Sequence, residues 1–92
     1  MVIFVKYGLG HLVAERKMDL SNEGDTVVLI QNGVFWLLNK EKMEALKEKK
    51  VNVVALKDDF LSRGYKESDT TIPLISYEEL VTILEKDQQV VG

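Results

Sequence analysis

Three short runs of apolar, largely β-branched residues dominate the hydrophobic pattern of the chain. They are residues 2–5 (V-I-F-V), 26–30 (T-V-V-L-I) and 51–56 (V-N-V-V-A-L). Continuous rather than alternating apolar runs are typical of strands that are covered on both faces, as in a parallel sheet between helices. The segments between the runs are too long for hairpin turns and long enough for helical crossovers. The pattern therefore predicts an α/β fold.

Helical patterns fill the segments between these strands. The first predicted helix covers residues 11–18, and the second begins at Gly33, either as one helix or as two short ones joined near Asn39. A third, of one or two turns, runs from Asp58, which we expect to be its N-cap, to Gly64, which we expect to be a left-handed stop. Each predicted strand is thus followed by a crossover that contains a helix.

The most regular helical pattern lies in the last quarter of the chain. Ser76 and Glu79 have the spacing of a capping box. Apolar residues follow at positions i, i+3, i+4 and i+7, which are Tyr77, Leu80, Val81 and Leu84. This pattern predicts a helix with one apolar face.

Two short apolar segments complete the predicted sheet. Residues 72–75 form a fourth strand, and Pro73 restricts it to a sheet edge because proline has no backbone N–H for the ladder. Residues 90–91 add a fifth. The alternation of strands and helices describes one three-layer α/β/α domain over residues 1–92, a common domain size.

Composition narrows the class of function. The chain has no cysteine and a single histidine, so disulfides, thiolate metal sites and cysteine nucleophiles are excluded. A net charge of −3 argues against a dedicated nucleic-acid surface, so we expect no direct nucleic-acid binding. No apolar run approaches the ~20 residues of a membrane span, and the apolar start is too short for a signal peptide. We therefore expect a cytoplasmic protein without membrane association.

Candidate chemistry collects at the carboxyl ends of the first three strands, where parallel sheets bind ligands. The residues there are His11 after the first strand, Gln31, Asn32 and Gly33 after the second, and Asp58 and Asp59 after the third. Three functional interpretations stay open: a histidine–aspartate acid–base pair, a carboxylate pair for a metal, and an anion site on backbone N–H groups. Each has a purely structural alternative, which is an exposed loop histidine, helix capping by the aspartates, and a close-packed turn at Gly33, respectively. No cofactor motif is complete, and we expect no cofactor.

The second crossover opens with a segment, residues 34–38, that is apolar all the way round. On a helical wheel of 100° per residue, one side of this segment faces the sheet, whereas Trp36 and Met43 point nearly opposite. A sizeable exposed apolar patch usually marks an interface. We therefore expect Phe35, Trp36 and Met43 to form a subunit contact in a homo-oligomer; the alternative is that the first or last helix covers them.

Three segments resemble characteristic stretches of the TusB/DsrH family. Residues 23–34 (E-G-D-T-V-V-L-I-Q-N-G-V) resemble its E-G-D-x-(apolar)4-Q-D-G-V signature. Residues 54–65 (V-A-L-K-D-D-F-L-S-R-G-Y) are similar to its (Y/V)-A-L-x-x-D-(apolar)-x-A-R-G-(L/Y) stretch, and residues 75–81 to its closing I-x-Y-x-x-(F/L)-V. The order and spacing of the three segments match over nearly the whole chain.

This resemblance implies a DsrE/F/H-like fold, with a parallel five-stranded sheet in the order 4-3-2-1-5 and helices on both faces. It also implies a place in sulfur-relay machinery, alongside DsrE-like and DsrF-like (TusD-like and TusC-like) subunits. The pathway would be the 2-thiolation of the tRNA wobble uridine or a related sulfur oxidation. The motif residues that would shape its loops are Asn32, Gly33, Asp59, Arg63 and Gly64, with Asn32 standing where most members have aspartate.

The missing cysteine decides which role in such a relay is open to this chain. A persulfide is carried on a thiolate, which these 92 residues do not contain. We therefore expect a non-catalytic subunit rather than a sulfur carrier. The alternative is a module that binds a small ligand or an anion at the edge formed by the ends of strands one to three.

Overall fold

The computed structural model describes residues 1–86 and 89–92, in which strands and helices alternate. The strands are β1 (Val2–Val5), β2 (Thr26–Leu29), β3 (Asn52–Leu56), β4 (Leu74–Ile75) and β5 (Val90–Val91). The α-helices are α1 (Leu12–Asp19), α2 (Lys40–Glu48), α3 (Lys57–Ser62) and α4 (Tyr77–Lys86). A long 3-10 helix (Gln31–Leu38) precedes α2, and a short one (Glu67–Asp69) precedes β4. The predicted alternation of elements is confirmed.

The five strands form one parallel sheet in the order β4-β3-β2-β1-β5. Both the α/β/α fold class and this strand order agree with the sequence-based expectation. The strand that follows Pro73 lies at an edge, and its partner Ala55 donates its backbone N–H to the Pro73 carbonyl at 3.1 Å. Proline is thus used where only its carbonyl is needed.

One face of the sheet, here called the three-helix face, is covered by α1, α2 and α3 together with the long 3-10 helix. Strand side chains that alternate along β1 and β2 meet the apolar faces of these helices. The buried helical side chains of this core are Ala14, Met18, Val34, Trp36, Leu37, Met43, Leu46 and Phe60.

The opposite face, here called the single-helix face, is covered by α4. Its core joins strand residues such as Val2 and Val28 to Leu80, while Ile83 and Leu84 are only partly buried. Of the predicted apolar face of α4, Leu80 is buried, whereas Tyr77 is 66% exposed and Val81 41%. None of the helices in the described part of the chain has the length and apolar character needed to cross a membrane.

Several helix ends follow from the predicted caps. The backbone N–H of Ser76 donates to the Glu79 carboxylate at 3.1 Å, and that of Glu79 donates to the Ser76 hydroxyl at 3.1 Å, which confirms the capping box. Gly64 follows α3 with a positive φ of 89°, as expected of a left-handed stop. The expectation that Asp58 caps α3 is wrong, because the helix follows β3 directly and its N-cap position is Leu56.

The second crossover is two helices that meet at Asn39. The Asn39 side chain accepts a hydrogen bond from the Lys42 N–H at 3.0 Å and so starts α2 afresh. The preceding helix is of the 3-10 type, with three residues per turn instead of 3.6. A wheel of 100° per residue therefore does not describe the 3-10 helix, and it cannot be continued across Asn39 into α2.

This geometry overturns the predicted subunit contact at Trp36 and Met43. Trp36 is 2% exposed and Met43 7%, and both belong to the core of the three-helix face. In the 3-10 helix Trp36 is buried beside Leu37, and its Nε1 donates to the Tyr7 carbonyl at 2.8 Å. Met43 pairs with Leu46, three residues on, as the buried side of α2. Phe35 is half-buried.

Candidate functional site

Residues at the carboxyl ends of β2 and β3 form a hydrogen-bonded link between the long 3-10 helix and α3. Gln31 has a positive φ of 51°, an uncommon backbone conformation for a residue with a side chain. Its backbone N–H donates to Asp59 Oδ2 at 2.7 Å. The Asp59 carboxylate therefore stabilises this turn from a helix that lies 28 positions later in the sequence.

Arg63 makes the second half of this link. Its Nε and Nη2 both donate to Asn32 Oδ1, at 3.1 and 3.0 Å, and its Nη1 donates to the Asp59 backbone carbonyl at 3.0 Å. Asp59 and Arg63 share one helical face, as their spacing indicates, yet their side chains bond to different partners. The two bonds to Asn32 hold the end of α3 against the start of the 3-10 helix, whereas the bond to the Asp59 carbonyl ties Arg63 to α3 itself.

Gly33 completes the link because no larger residue fits there. A Cβ atom at Gly33 would lie 1.9 Å from the Val5 carbonyl oxygen, well inside contact distance. The Gly33 N–H donates to the Ile30 carbonyl at 2.8 Å. Of the two readings that the sequence left open here, the structure shows the close-packed turn, and this N–H is already bonded within the chain.

His11 begins α1 at the adjacent strand end. Its Nδ1 accepts a hydrogen bond from the Ala14 N–H at 3.4 Å, so the imidazole is the N-cap of the helix. The ring stacks on Tyr7, with centroids 4.3 Å apart and planes 16° apart. Sequence reasoning placed His11 at this edge but did not identify the cap, since histidine is not among the usual capping residues.

The segments that follow β1 and β2 form a shallow groove of about 500 Å³, here called the edge groove. Its walls are Tyr7, Gly8, Leu9, Gly10, His11, Asn32 and Phe35. Behind it, the Arg63 guanidinium carbon lies 5.9 Å from the centre of the Phe35 ring. The structure thus brings His11 and Asn32 to one groove. Arg63 bonds to Asn32, whereas the Asp59 carboxylate bonds to the neighbouring Gln31 N–H, and neither Asp59 nor Arg63 lines the groove.

Exposed apolar side chains surround the edge groove, and the sequence analysis missed them. Tyr7 is 54% exposed, Leu9 50% and Leu38 45%. Leu9 lines both the edge groove and a neighbouring cavity of about 540 Å³, and Leu38 lines only that neighbouring cavity. The available signal was a leucine between two glycines, Gly8 and Gly10, in a loop too short to bury it.

Charged groups near α3 are paired with each other. The Lys57 ammonium contacts the Glu67 carboxylate, and this hydrogen bond, followed by the charge of Glu67, raises the pKa of Lys57 above its ordinary value of 10.5. Asp58 is exposed in the first turn of α3. Among the described residues, no group of three or more histidine, aspartate or glutamate side chains is placed to hold a metal ion.

Charged groups of the link are bonded within the chain, and apolar side chains lie exposed beside them. The cation and the carboxylate that could act on a substrate, Arg63 and Asp59, are bonded to Asn32 and Gln31. The exposed side chains in and beside the groove are the apolar Tyr7, Leu9 and Leu38 and the polar His11 and Asn32. Apolar side chains around a small polar centre are typical of protein interfaces.

Comparisons with known proteins agree with the fold and its motifs. The family model described as DsrH like protein matches residues 13–90. The solution NMR structure of protein Tm0979 from Thermotoga maritima is 42% identical, with full coverage of both chains and a TM-score of 0.75. A second NMR structure of that protein, named there as a proposed sulfur transferase, is 42% identical over 98% of this chain and 97% of the other, with a TM-score of 0.67. No curated protein matches the chain. The chain belongs to the DsrH-like family.

Proposed function

We propose that this protein is a non-catalytic subunit of a cytoplasmic sulfur-relay complex that supports the 2-thiolation of the tRNA wobble uridine. The observation that carries the proposal is the match to the DsrH-like family over residues 13–90 in a chain without cysteine. The similar protein from Thermotoga maritima, named as a proposed sulfur transferase, supports the link to sulfur transfer.

The chemistry of the chain favours a supporting role over a carrier role. Sulfur passes between proteins as a persulfide on a thiolate, and the chain has no thiol to attack one or to hold it. Its single imidazole caps α1 through Nδ1. The carrier cysteines would belong to DsrE-like and DsrF-like partner subunits.

The surface around the edge groove is the contact that we assign to those partners, or to a second copy of the chain. Tyr7, Leu9 and Leu38 are each about half exposed at one end of the sheet. Covering them would remove apolar area from water, at roughly 25 cal/mol per Å². This surface replaces Trp36 and Met43, which are already covered within the chain.

A sulfur-transfer assay tests the non-catalytic role. The purified chain is incubated with a cysteine desulfurase and radiolabelled cysteine, with a DsrE-like cysteine protein as the positive control. We expect label on the control and none on this chain. Label that stays on this chain through denaturation and is released by thiol would contradict the proposal.

A co-purification assay tests the contact surface. The substitutions Leu9→Ser and Leu38→Ser together should abolish retention of the partner subunits, and of a second tagged copy if the chain self-associates. The matched control is Leu20→Ser, since Leu20 is 77% exposed at the C-terminal end of α1, away from the groove. Equal retention by the two variants would show that the contact lies elsewhere.

The pathway is tested in the native host. Deleting the gene should lower the 2-thiouridine content of the tRNAs that carry this modification, measured by mass spectrometry of digested tRNA. The wild-type gene should restore it, the Leu20→Ser gene should restore it equally, and the Leu9→Ser/Leu38→Ser gene should not. Unchanged 2-thiouridine in the deletion strain would rule out the tRNA pathway.

A further inference from the structure

The link between α3 and the long 3-10 helix contains a chemically labile pair, Asn32 followed by Gly33. We propose that Asn32 is a site of spontaneous deamidation. Its contact with Arg63 slows the reaction in the folded chain and afterwards holds the aspartate product in an ion pair. Asn32 is exposed to water at the edge groove.

The reaction is an internal substitution followed by hydrolysis. The Gly33 backbone nitrogen loses its proton to base and bonds to the Asn32 side-chain carbonyl carbon, whose bond to the amide nitrogen breaks as ammonia leaves. Water then opens the cyclic imide at one of its two carbonyls. The balance is one amide and one water converted to one carboxylate and one ammonium, with no change in oxidation state. Glycine favours the attack because it has no side chain to obstruct the nitrogen.

Two contacts oppose this reaction in the folded chain. The Gly33 N–H, which must be lost, donates to the Ile30 carbonyl at 2.8 Å. The Asn32 side-chain oxygen accepts from Arg63 Nε and Nη2, which hold the amide towards α3. Ring closure therefore requires a local opening in which both contacts break, so its rate follows the population of the open form.

The fold then discriminates between the two products. In the asparagine form, Nε and Nη2 of Arg63 both donate to the one side-chain oxygen of Asn32. A normal aspartate at this position offers two oxygens to these donors, and paired carboxylate–guanidinium bonds are stronger than bonds to a neutral amide. The isoaspartate product instead inserts a carbon into the backbone before Gly33. At Gly33 even a Cβ would lie 1.9 Å from the Val5 oxygen, so the isoaspartate chain cannot restore this turn.

The chain supplies its own controls. Its other asparagines precede residues with side chains, which obstruct the attacking nitrogen: Asn22 before Glu23, Asn39 before Lys40 and Asn52 before Val53. Arg16 supplies a matched arginine, exposed on α1 and far along the chain from Asn32.

The test is peptide mapping by mass spectrometry after incubation at mildly alkaline pH, with and without denaturant. In denaturant, Asn32 should react faster than the other three asparagines. In the folded wild type it should react at least about tenfold more slowly, because charge-assisted hydrogen bonds must first be broken. Arg63→Ala should accelerate the folded-state reaction, whereas Arg16→Ala should not. Equal rates in the two variants, or no preference for Asn32 in denaturant, would overturn the proposal.

Two further variants test the retained product and guard against misfolding. Arg63→Lys keeps a cation without the paired donors and should also accelerate the reaction. It takes the place of Arg63→Ala in the test if that variant fails to fold. Asn32→Asp should raise the melting temperature, by less in high salt and by less in the Arg63→Lys background. A lower melting temperature for Asn32→Asp in the wild-type background would refute the retention of the product.

Discussion

The two faces of the sheet differ in how completely helices cover them. On the three-helix face, Phe60 and Met18 are fully buried, whereas on the single-helix face Phe4, Ile30 and Val54 remain half-buried beside α4. Right-handed crossovers that step from β1 to β4 in one direction place α1, α2 and α3 on the same side. The return from β4 to β5 places α4 on the other. Topology thus concentrates the core, and with it the stability, on one side.

Trp36 gives the largest expected effect, because it lies in the better-covered core. Trp36→Ala should lower the free energy of unfolding by about 3–5 kcal/mol. Trp36→Phe keeps most of the apolar area but leaves the Tyr7 carbonyl without its donor, and should cost about 1–2 kcal/mol. Urea unfolding measures both. A surface role for Trp36 would instead give changes below about 0.5 kcal/mol.

Two leucines compare the faces directly. Leu46 is 2% exposed on the three-helix face and Leu80 is 6% exposed on the single-helix face. Leu46→Ala should cost about 3 kcal/mol and Leu80→Ala about 2, because water and partly exposed neighbours can fill the space near α4. The same urea experiment decides between them. Equal losses would mean that α4 packs as tightly as the three helices opposite.

The cap of α4 provides a smaller effect on the single-helix face. Ser76→Ala removes the acceptor for the Glu79 N–H and should cost about 1 kcal/mol. Because α4 is the helix that covers this face, hydrogen exchange should rise throughout α4 before it rises in α2. Thr82→Ala is the control, since its hydroxyl donates only to the Glu78 carbonyl within the same helix. Uniform exchange over both helices would indicate one cooperative unit.

The Lys57–Glu67 contact gives the smallest effect, and it depends on pH. The pKa of Lys57 is raised in the folded chain, so its contribution is fully present below the ordinary lysine pKa of 10.5 and is lost as pH rises through the folded-state value. The melting temperatures of wild type and Lys57→Gln should differ slightly at about pH 9 and converge as pH rises above the raised pKa of Lys57. A difference that grows with pH would mean that folding lowers the pKa of Lys57 instead of raising it.

The sequence predicted the sheet because its signals are local. Continuous apolar runs marked the buried strands, Pro73 marked the edge, and Ser76 with Glu79 marked the start of α4. The same reasoning failed for Trp36, because 3-10 and α-helices share a composition. The indole bond to Tyr7, 29 residues away, belongs to the tertiary structure rather than to the local pattern.

The sequence indicated where the residues of the candidate site lie, but not which partners their side chains bond to. Parallel topology brought the strand ends to one edge, as the positions of Gln31, Asn32 and Asp59 required. Which groups would bond there was not visible, since Arg63 and Asn32 are 31 residues apart and either could equally have faced a ligand. Only the packing of α3 against the 3-10 helix decides that these side chains satisfy each other.

Trp36 also provides an intrinsic fluorescence signal for binding at the edge groove. It is the only tryptophan, it is almost completely shielded from water, and its indole N–H is bonded to the backbone of the Tyr7 loop beside the edge groove. Indole emission responds to polarity and to the field along the N–H bond. A protein that closes over Tyr7 and Leu9 should therefore change the emission of a chain that carries no label, and the change can be followed in real time by stopped-flow mixing.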